Sequence, residues 1–232
     1  MSENLSENLS ESIIIPISGP ANERLGRMES FSSPLLSSPS LIEMITSWRQ
    51  RYRQFFFTQF EETSERTYVW LRDILLPDLT RRMFFIHTAD PADPLPVGHL
   101  GVMHLDRPVV ELDNMIRGRE GGHPHLMYWA EITLLRWIFQ TFPAAAAVRC
   151  NLFDDNWRTI RHHTRVGFRM VATFPLVRWE GEDGTIHFQP YTNGMRSGEL
   201  VETRLGQMDL IKEEFFSRPA EQLEKQGKAA ES

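Results

Sequence analysis

What most limits the fold of this chain is the order in which its hydrophobic period changes. From Ser40, Leu41, Ile42, Ile45 and Trp48 recur at helical spacing, with Ser40 as the expected N-cap. A second helical run, 63–77, opens on Thr63 as its cap, buries Val69, Trp70 and Ile74, and stops at Pro77. The period then shortens. Residues 82–87 and 96–106 read as strands joined by an Asp/Pro turn at 90–94, and 107–118 supplies a third. A long helix over about 125–142 carries Leu126, Trp129, Ala130, Leu134, Trp137 and Ile138 on one spacing. Strand 147–153, helix 156–166 and strands 168–179 and 185–191 complete the set. Two helices, an antiparallel meander, then helix, strand, helix and strands describe an α/β domain with a mixed sheet.

The ends have a different character. Residues 2–12 repeat a Ser-Glu-Asn-Leu unit and 29–40 are rich in Ser and Pro, so 1–38 is expected to be a flexible leader, with 13–17 a short strand inside it. Residues 206–232 read as a polar tail, which leaves 39–205 as the folded domain. With 232 residues, 41% of them hydrophobic, the chain is long enough for one sizeable core. Its 25 basic and 31 acidic residues give a net charge of −6, which argues against a general nucleic-acid binder. Cys150 is the single cysteine, so neither an intramolecular disulfide nor a thiolate zinc site is available. No run approaches the ~20 apolar residues that span a bilayer, and no basic-then-apolar signal opens the chain. A soluble cytoplasmic protein is expected, without membrane or nucleic-acid partners; a homodimer is left open.

Four stretches, in order, resemble the GNAT N-acetyltransferase superfamily: 97-VGHLGV-102, 110-VELDNMIRG-118 leading into a loop and long helix, 149-RCNLFDDNWRTI-160, and 165-RVGF-168. The resemblance implies an α/β GNAT fold, with a mixed, mostly antiparallel sheet of six to seven strands, splayed central strands and flanking helices. It further implies that the strand at 107–118 and the strand at 147–153 diverge, and that acetyl coenzyme A, as co-substrate, lies along the gap. Met115, Ile116 and Arg117 would follow its pantetheine arm. Gly122, His125, Leu126 and Met127 would bring backbone N–H groups to its pyrophosphate at a helix start, where the positive helix end favours a diphosphate. Asn156 would face the coenzyme from the next helix.

In such enzymes an amine attacks the thioester after a base has taken its ammonium proton, and an acid can protonate the leaving thiolate. Glu111 is the leading candidate base and His99 the second. His163 stands where the family often has a tyrosine acid, and Asp113 and Asn114 are candidate binders of substrate or water. The segment 48–71 resembles GNAT proteins of surface-polysaccharide and amino-sugar pathways. This makes Arg49, Arg53 and Phe57 candidate substrate contacts, and Arg51 also lies in the segment.

Each residue also has a structural reading. His162 and His163, among Arg158, Arg161 and Arg165, also read as a solvated basic face. Glu111 also reads as an ordinary outward-facing strand carboxylate, and Cys150 as a small core residue. The run 55–57 reads as packing more readily than as a ligand wall. His123, His125, His162 and His163 find no carboxylate or thiol that completes a recognisable ligand set in the sequence, so no metal is expected. The sequence therefore leads to an N-acyltransferase moving acetyl to the amine of a small metabolite, with a nucleotide-linked amino sugar favoured. Acetylation of a protein N-terminus or another small amine is the alternative, and a non-catalytic module that binds acyl coenzyme A or an acyl carrier is the alternative of a different class.

Overall fold

A computed structural model describes residues 12–192 and 198–218. The repeats at 2–11 and most of the expected tail lie outside the described residues. Ten strands form one sheet: β1 (Ile14–Ser18), β2 (Arg24–Ser30), β3 (Thr58–Gln59), β4 (Arg82–Thr88), β5 (Gly98–Met103), β6 (Val109–Arg117), β7 (Ala147–Phe153), β8 (Arg169–Glu180), β9 (Ile186–Pro190) and β10 (Glu199–Ile211). Their order is β1-β2-β4-β5-β6-β7-β10-β8-β9-β3. The β6–β7 pair is parallel and the other neighbours are antiparallel. Five helices flank the sheet: α1 (Pro39–Arg51), α2 (Ser64–Trp70), α3 (Leu126–Thr141), α4 (Trp157–Val166) and α5 (Lys212–Phe216). Among the described residues no helix is long and apolar enough to cross a membrane.

The expected sheet of six to seven strands is too small, and both expected domain ends are corrected. Residues 14–30 are two strands of the sheet rather than mobile leader, with Ile17 and Met28 fully buried. Gly26 lies so close to the next strand that a Cβ there would meet the His87 carbonyl oxygen at 2.1 Å, so only glycine fits. At the other end β10 runs past 205 between β7 and β8, burying Met208 and Leu210, and α5 adds Phe215. Removing 1–38 or 206–232 would therefore strip strands from the sheet.

The helices keep their places with two shifts. α1 begins at Pro39 with Ser38 rather than Ser40 at its N-cap, and buries Ile42, Ile45 and Trp48 as expected. In α2 the Thr63 side chain accepts from the Arg66 N–H at 3.2 Å, as expected of a cap. Its buried face is nevertheless Thr67, Leu71 and Leu75, while Val69 and Ile74 are exposed. A π-helical turn over Leu71–Leu75 follows it, and the slower turn changes which residues face inward.

Two apolar layers result. Under α3 lies the large core that includes Phe84, Val110, Leu112, Leu134, Cys150 and Phe168. On the other face α1 and α2 cover Leu71, Met83 and Phe85. Between the faces, β6 carries a bulge: Asp113 pairs with Gly101 and Ile116 with His99, so two residues oppose one. Asn114 holds the left-handed backbone this requires (φ 49°), a conformation asparagine tolerates better than most residues. The bulge reverses the alternation. Val110 and Leu112 face α3 before it, and Met115 and Arg117 take that side after it.

His99 holds the bulge in place. Its Nδ1 donates to the Asn114 carbonyl at 2.7 Å, which fixes the tautomer because a carbonyl only accepts. Its Nε2 is buried without a partner, and Trp48 lies 5.7 Å away, centroid to centroid. Burial pushes its pKa from 6.5 to about 4, so the ring is neutral in the fold. A depressed histidine pKa means that the unfolded chain takes up a proton the folded chain refuses. Stability is therefore expected to fall as pH drops from 6.5 towards 4, by about 3 kcal/mol from this group at about 1.4 kcal/mol per pH unit. Urea midpoints of the wild type and His99→Met between these pH values check this. The variant should lack that part of the slope, and an unchanged slope would show that His99 is not its source.

Candidate active site

β6 and β7 pair at only three positions, Val109–Ala147, Val110–Val148 and Glu111–Arg149. Beyond Glu111 the strands part, although β6 continues to Arg117 and β7 to Phe153. The edge of β6 that faces the gap has no strand partner there, and unpaired backbone amides of this kind call for a polar, extended ligand.

On the α3/α4 side the gap opens into a pocket of about 310 Å³. Met115, Arg117, His125 and Met127, four of the expected coenzyme residues, line it. Others are placed differently. Ile116 is buried beside His99 in the register, and Leu126 is fully buried in the core beneath α3. Gly122 (φ 67°) shapes the loop before α3 against Thr88 and Leu126. Asn156 is the N-cap of α4, its Oδ1 accepting from the Thr159 N–H at 3.4 Å, a long contact.

The pocket also shows what sequence spacing did not resolve. Arg158 and Arg165, grouped with a solvated face in the sequence, form its wall with Thr159 and His162. The Arg117 side chain donates to the Gly121 and Pro124 carbonyls and so shapes the glycine loop. No side chain caps α3 at His125, and the first-turn N–H groups of a helix lack intrahelical partners. Three arginines and a helix start with a positive end around one pocket suit a diphosphate. From the other face, Arg51 Nη1 donates to the Gly118 carbonyl at 2.8 Å and Tyr52 Oη to the Arg117 carbonyl at 3.1 Å, fastening the chain where it leaves β6.

His163 corrects the expectation of an acid at the thioester. It is buried, and Nδ1 lies 2.8 Å from Glu131 Oε1, while His162 Nε2 lies 2.6 Å from Glu131 Oε2. Burial alone would lower the His163 pKa, but Cys150 and Glu131 beside it hold it well above 6.5. Burial alone would raise the Glu131 carboxyl, but the two histidines hold it at about 2. His163 is therefore one half of a buried ion pair rather than a solvated helix residue. Glu131 also supplies the carboxylate that the sequence pattern lacked for a metal-type set. The signal for it was present in the sequence, as the acidic residue on the otherwise apolar stripe of α3.

On the opposite face the gap meets a polar floor. Glu111, the last paired residue of β6, accepts from Asn151 Nδ2 at 2.8 Å, and Gln207 Nε2 donates to Asn151 Oδ1 at 3.2 Å. Asp113 stands two residues further along, and burial raises its carboxyl above the ordinary value. His99 shares this face of the sheet but is buried under the bulge, with its Nδ1 given to the Asn114 carbonyl. Arg49 is engaged through all three nitrogens: it donates to Glu62, to Asn114 Oδ1 at 3.1 Å and to the Thr58 carbonyl at 3.2 Å, and stacks on Phe56 at 3.9 Å. Burial raises the Glu62 carboxyl despite this arginine. Phe57 packs against Phe153 at 4.6 Å, in a small apolar cluster with Phe188. Arg53 is exposed near Glu62. The expected substrate arginines thus separate into one half-buried fastening and one open charge.

No protein-family model matches the sequence, and no curated protein matches it. Solved structures share its fold. Mycobacterium smegmatis RimJ in complex with CoA-disulfide superposes with a TM-score of 0.62 over 94% of this chain and 95% of its own, at 13% identity. A GCN5-related N-acetyltransferase from Brucella melitensis gives 0.61 over 96% and 89%, at 14% identity. RimL, a ribosomal L7/L12 α-N-protein acetyltransferase in complex with coenzyme A, gives 0.58 over 87% and 99%, at 12% identity. The single mixed sheet flanked by helices is the fold of GNAT acetyltransferase structures.

Proposed function

We propose that the chain is an N-acetyltransferase that moves the acetyl group of acetyl coenzyme A to a primary amine. The observation that carries this reading is the parting of β6 and β7 beyond Glu111, with an arginine-lined pocket on one face and two carboxylates on the other. The coenzyme enters from the pocket, its diphosphate against Arg117, Arg158, Arg165 and the start of α3. Its pantetheine arm takes the free edge of β6, which brings the thioester to the bulge. The acceptor approaches over Glu111 and Asp113.

Glu111 takes the ammonium proton, directly or through a water, and frees the nitrogen lone pair. Nitrogen then bonds to the thioester carbon and gives up a second proton to solvent, the carbon–sulfur bond breaks, and the thiolate leaves and is protonated from solvent. His163, committed to Glu131, has no part in this step. Holding two reactants across one gap contributes by proximity alone.

The acceptor is a primary amine. A nucleotide-linked amino sugar loses Arg49 as a phosphate receptor, because that guanidinium already serves Glu62, Asn114 and Thr58. Likeness in fold to RimL, an α-N-protein acetyltransferase, favours a protein α-amine as the second acceptor class. The test is coenzyme thiol release with acetyl coenzyme A against an amino sugar, its nucleotide-linked form, short peptides with free N-termini, and the same peptides blocked. Release that requires a free amine supports transfer. Release with none of them would leave a module that binds without turnover.

A further inference from the structure

Neighbouring residues on a helix point about 100° apart and do not face a common partner. His162 and His163 of α4 nevertheless both turn to Glu131 of α3, with 2.6 and 2.8 Å contacts to its two oxygens. Glu131 is fully buried, His163 nearly so, and the His162 side chain is 25% exposed where it forms the pocket wall. One donor atom from each of the three lies within 4.8 Å of the other two.

We propose that Glu131, His162 and His163 form a binding site for a divalent transition ion of the zinc type, at the base of the coenzyme pocket. Two imidazoles and one carboxylate, with a fourth position left open, make a donor set that zinc accepts. Bonds of about 2.0–2.1 Å set tetrahedral donor atoms about 3.3 Å apart, so the 2.6 and 2.8 Å contacts to the two carboxylate oxygens need to open by about half an ångström or more, and the imidazole nitrogens, within 4.8 Å, settle towards the same spacing. His162 is the flexible member, being partly exposed. The support of the site is also built: His163 is buried with its Nδ1 turned to the carboxylate, and the Cys150 side chain lies beside it. Because His162 belongs to both wall and site, the open position faces the pocket. Binding displaces the protons that the imidazoles carry.

The test uses the full chain, stripped with a chelator and titrated at pH 7.5 with Zn²⁺ against a chromophoric competitor, and with Co²⁺ followed by its visible absorption. One equivalent of each per chain is expected, with the Co²⁺ spectrum of a four- or five-coordinate nitrogen/oxygen site. His162→Ala, at the partly exposed position, should weaken binding at least about tenfold, and Glu131→Gln should do the same. His187→Ala, on the far strand β9, should bind as the wild type does. Less than one equivalent, or equal affinity in His162→Ala, would overturn the site. No acetyl coenzyme A enters this measurement, so its failure leaves the proposed transfer standing, and failure of the transfer leaves the ion site standing.

Discussion

Replacing Glu111 with glutamine is expected to lower kcat about 10²-fold or more while leaving KM for acetyl coenzyme A nearly unchanged, because the change removes a proton acceptor and little else. Glutamine keeps the size of the side chain and an oxygen that can accept from Asn151. It cannot take the ammonium proton. The coenzyme pocket lies on the other face of the sheet, so its occupancy should not alter. Steady-state kinetics at saturating acetyl coenzyme A, with any amine that releases thiol, give the answer. Asp113→Asn is the companion variant, since burial raises that carboxyl and it stands on the same face. A larger loss there than in Glu111→Gln would move the base by two residues. Unchanged kinetics in both would return Glu111 to the role of a strand carboxylate fastened to Asn151.

The second large effect concerns stability. In the metal-free protein, Glu131→Leu is expected to cost about 3–5 kcal/mol of unfolding free energy, because it breaks a buried ion pair and leaves one partner uncompensated. The imidazole of His163 can shed its proton, which places the value towards the lower end. The pH dependence has two limbs. Glu131, held at about 2 against an ordinary 4.5, contributes stability that is complete above 4.5 and is lost as pH falls towards 2. His163, held well above 6.5, contributes stability that is complete below 6.5 and is lost as pH rises through its folded value. The pair is therefore worth most between pH 4.5 and 6.5. Denaturant unfolding in chelator should show the wild-type advantage over Glu131→Leu widest there. An advantage independent of pH would mean that packing, not charge, supplies it.

Much of this architecture was legible in the sequence because its elements carry clean periods. The long apolar stripe of α3, the short, turn-bounded and almost wholly buried runs of β4 and β5, and the Asn-capped, Gly-terminated α4 announce themselves. β1 was read as a short strand over 13–17 but assigned to the leader, while β2 and β10 were hidden for a physical reason. Strand β2 is seven residues with two arginines and two buried small residues, Gly26 and Ser30, beside a Ser/Pro-rich segment. β10 mixes Glu, Arg and Gln with the inward Leu205, Met208 and Leu210, so its composition is that of a polar tail while its alternation is that of a strand.

The site was legible on one side of the gap. Met115, Arg117, His125 and Met127 follow from the order of strand, loop and helix, and they share the pocket. The bulge was not legible, because a single asparagine in left-handed backbone leaves no periodic trace, yet it decides which side chains of β6 face which layer. Spacing back from Phe168 located His163 along α4 but gave no direction. Only the position of Glu131 on α3 turns that ring inward. Arg49 shows the same limit: an arginine on a first helix reads as an open charge until Glu62 and Asn114 are found beside it.

The most direct test of the coenzyme assignment is calorimetric titration of the full chain with acetyl coenzyme A, repeated on Arg158→Ala. One equivalent bound per chain at micromolar Kd is expected, weakened about tenfold or more in the variant by loss of a charge-assisted contact worth about 1.5 kcal/mol or more. Absence of binding, or equal affinity in the two proteins with the pocket otherwise intact, would contradict the placement of the coenzyme between α3, α4 and the free edge of β6.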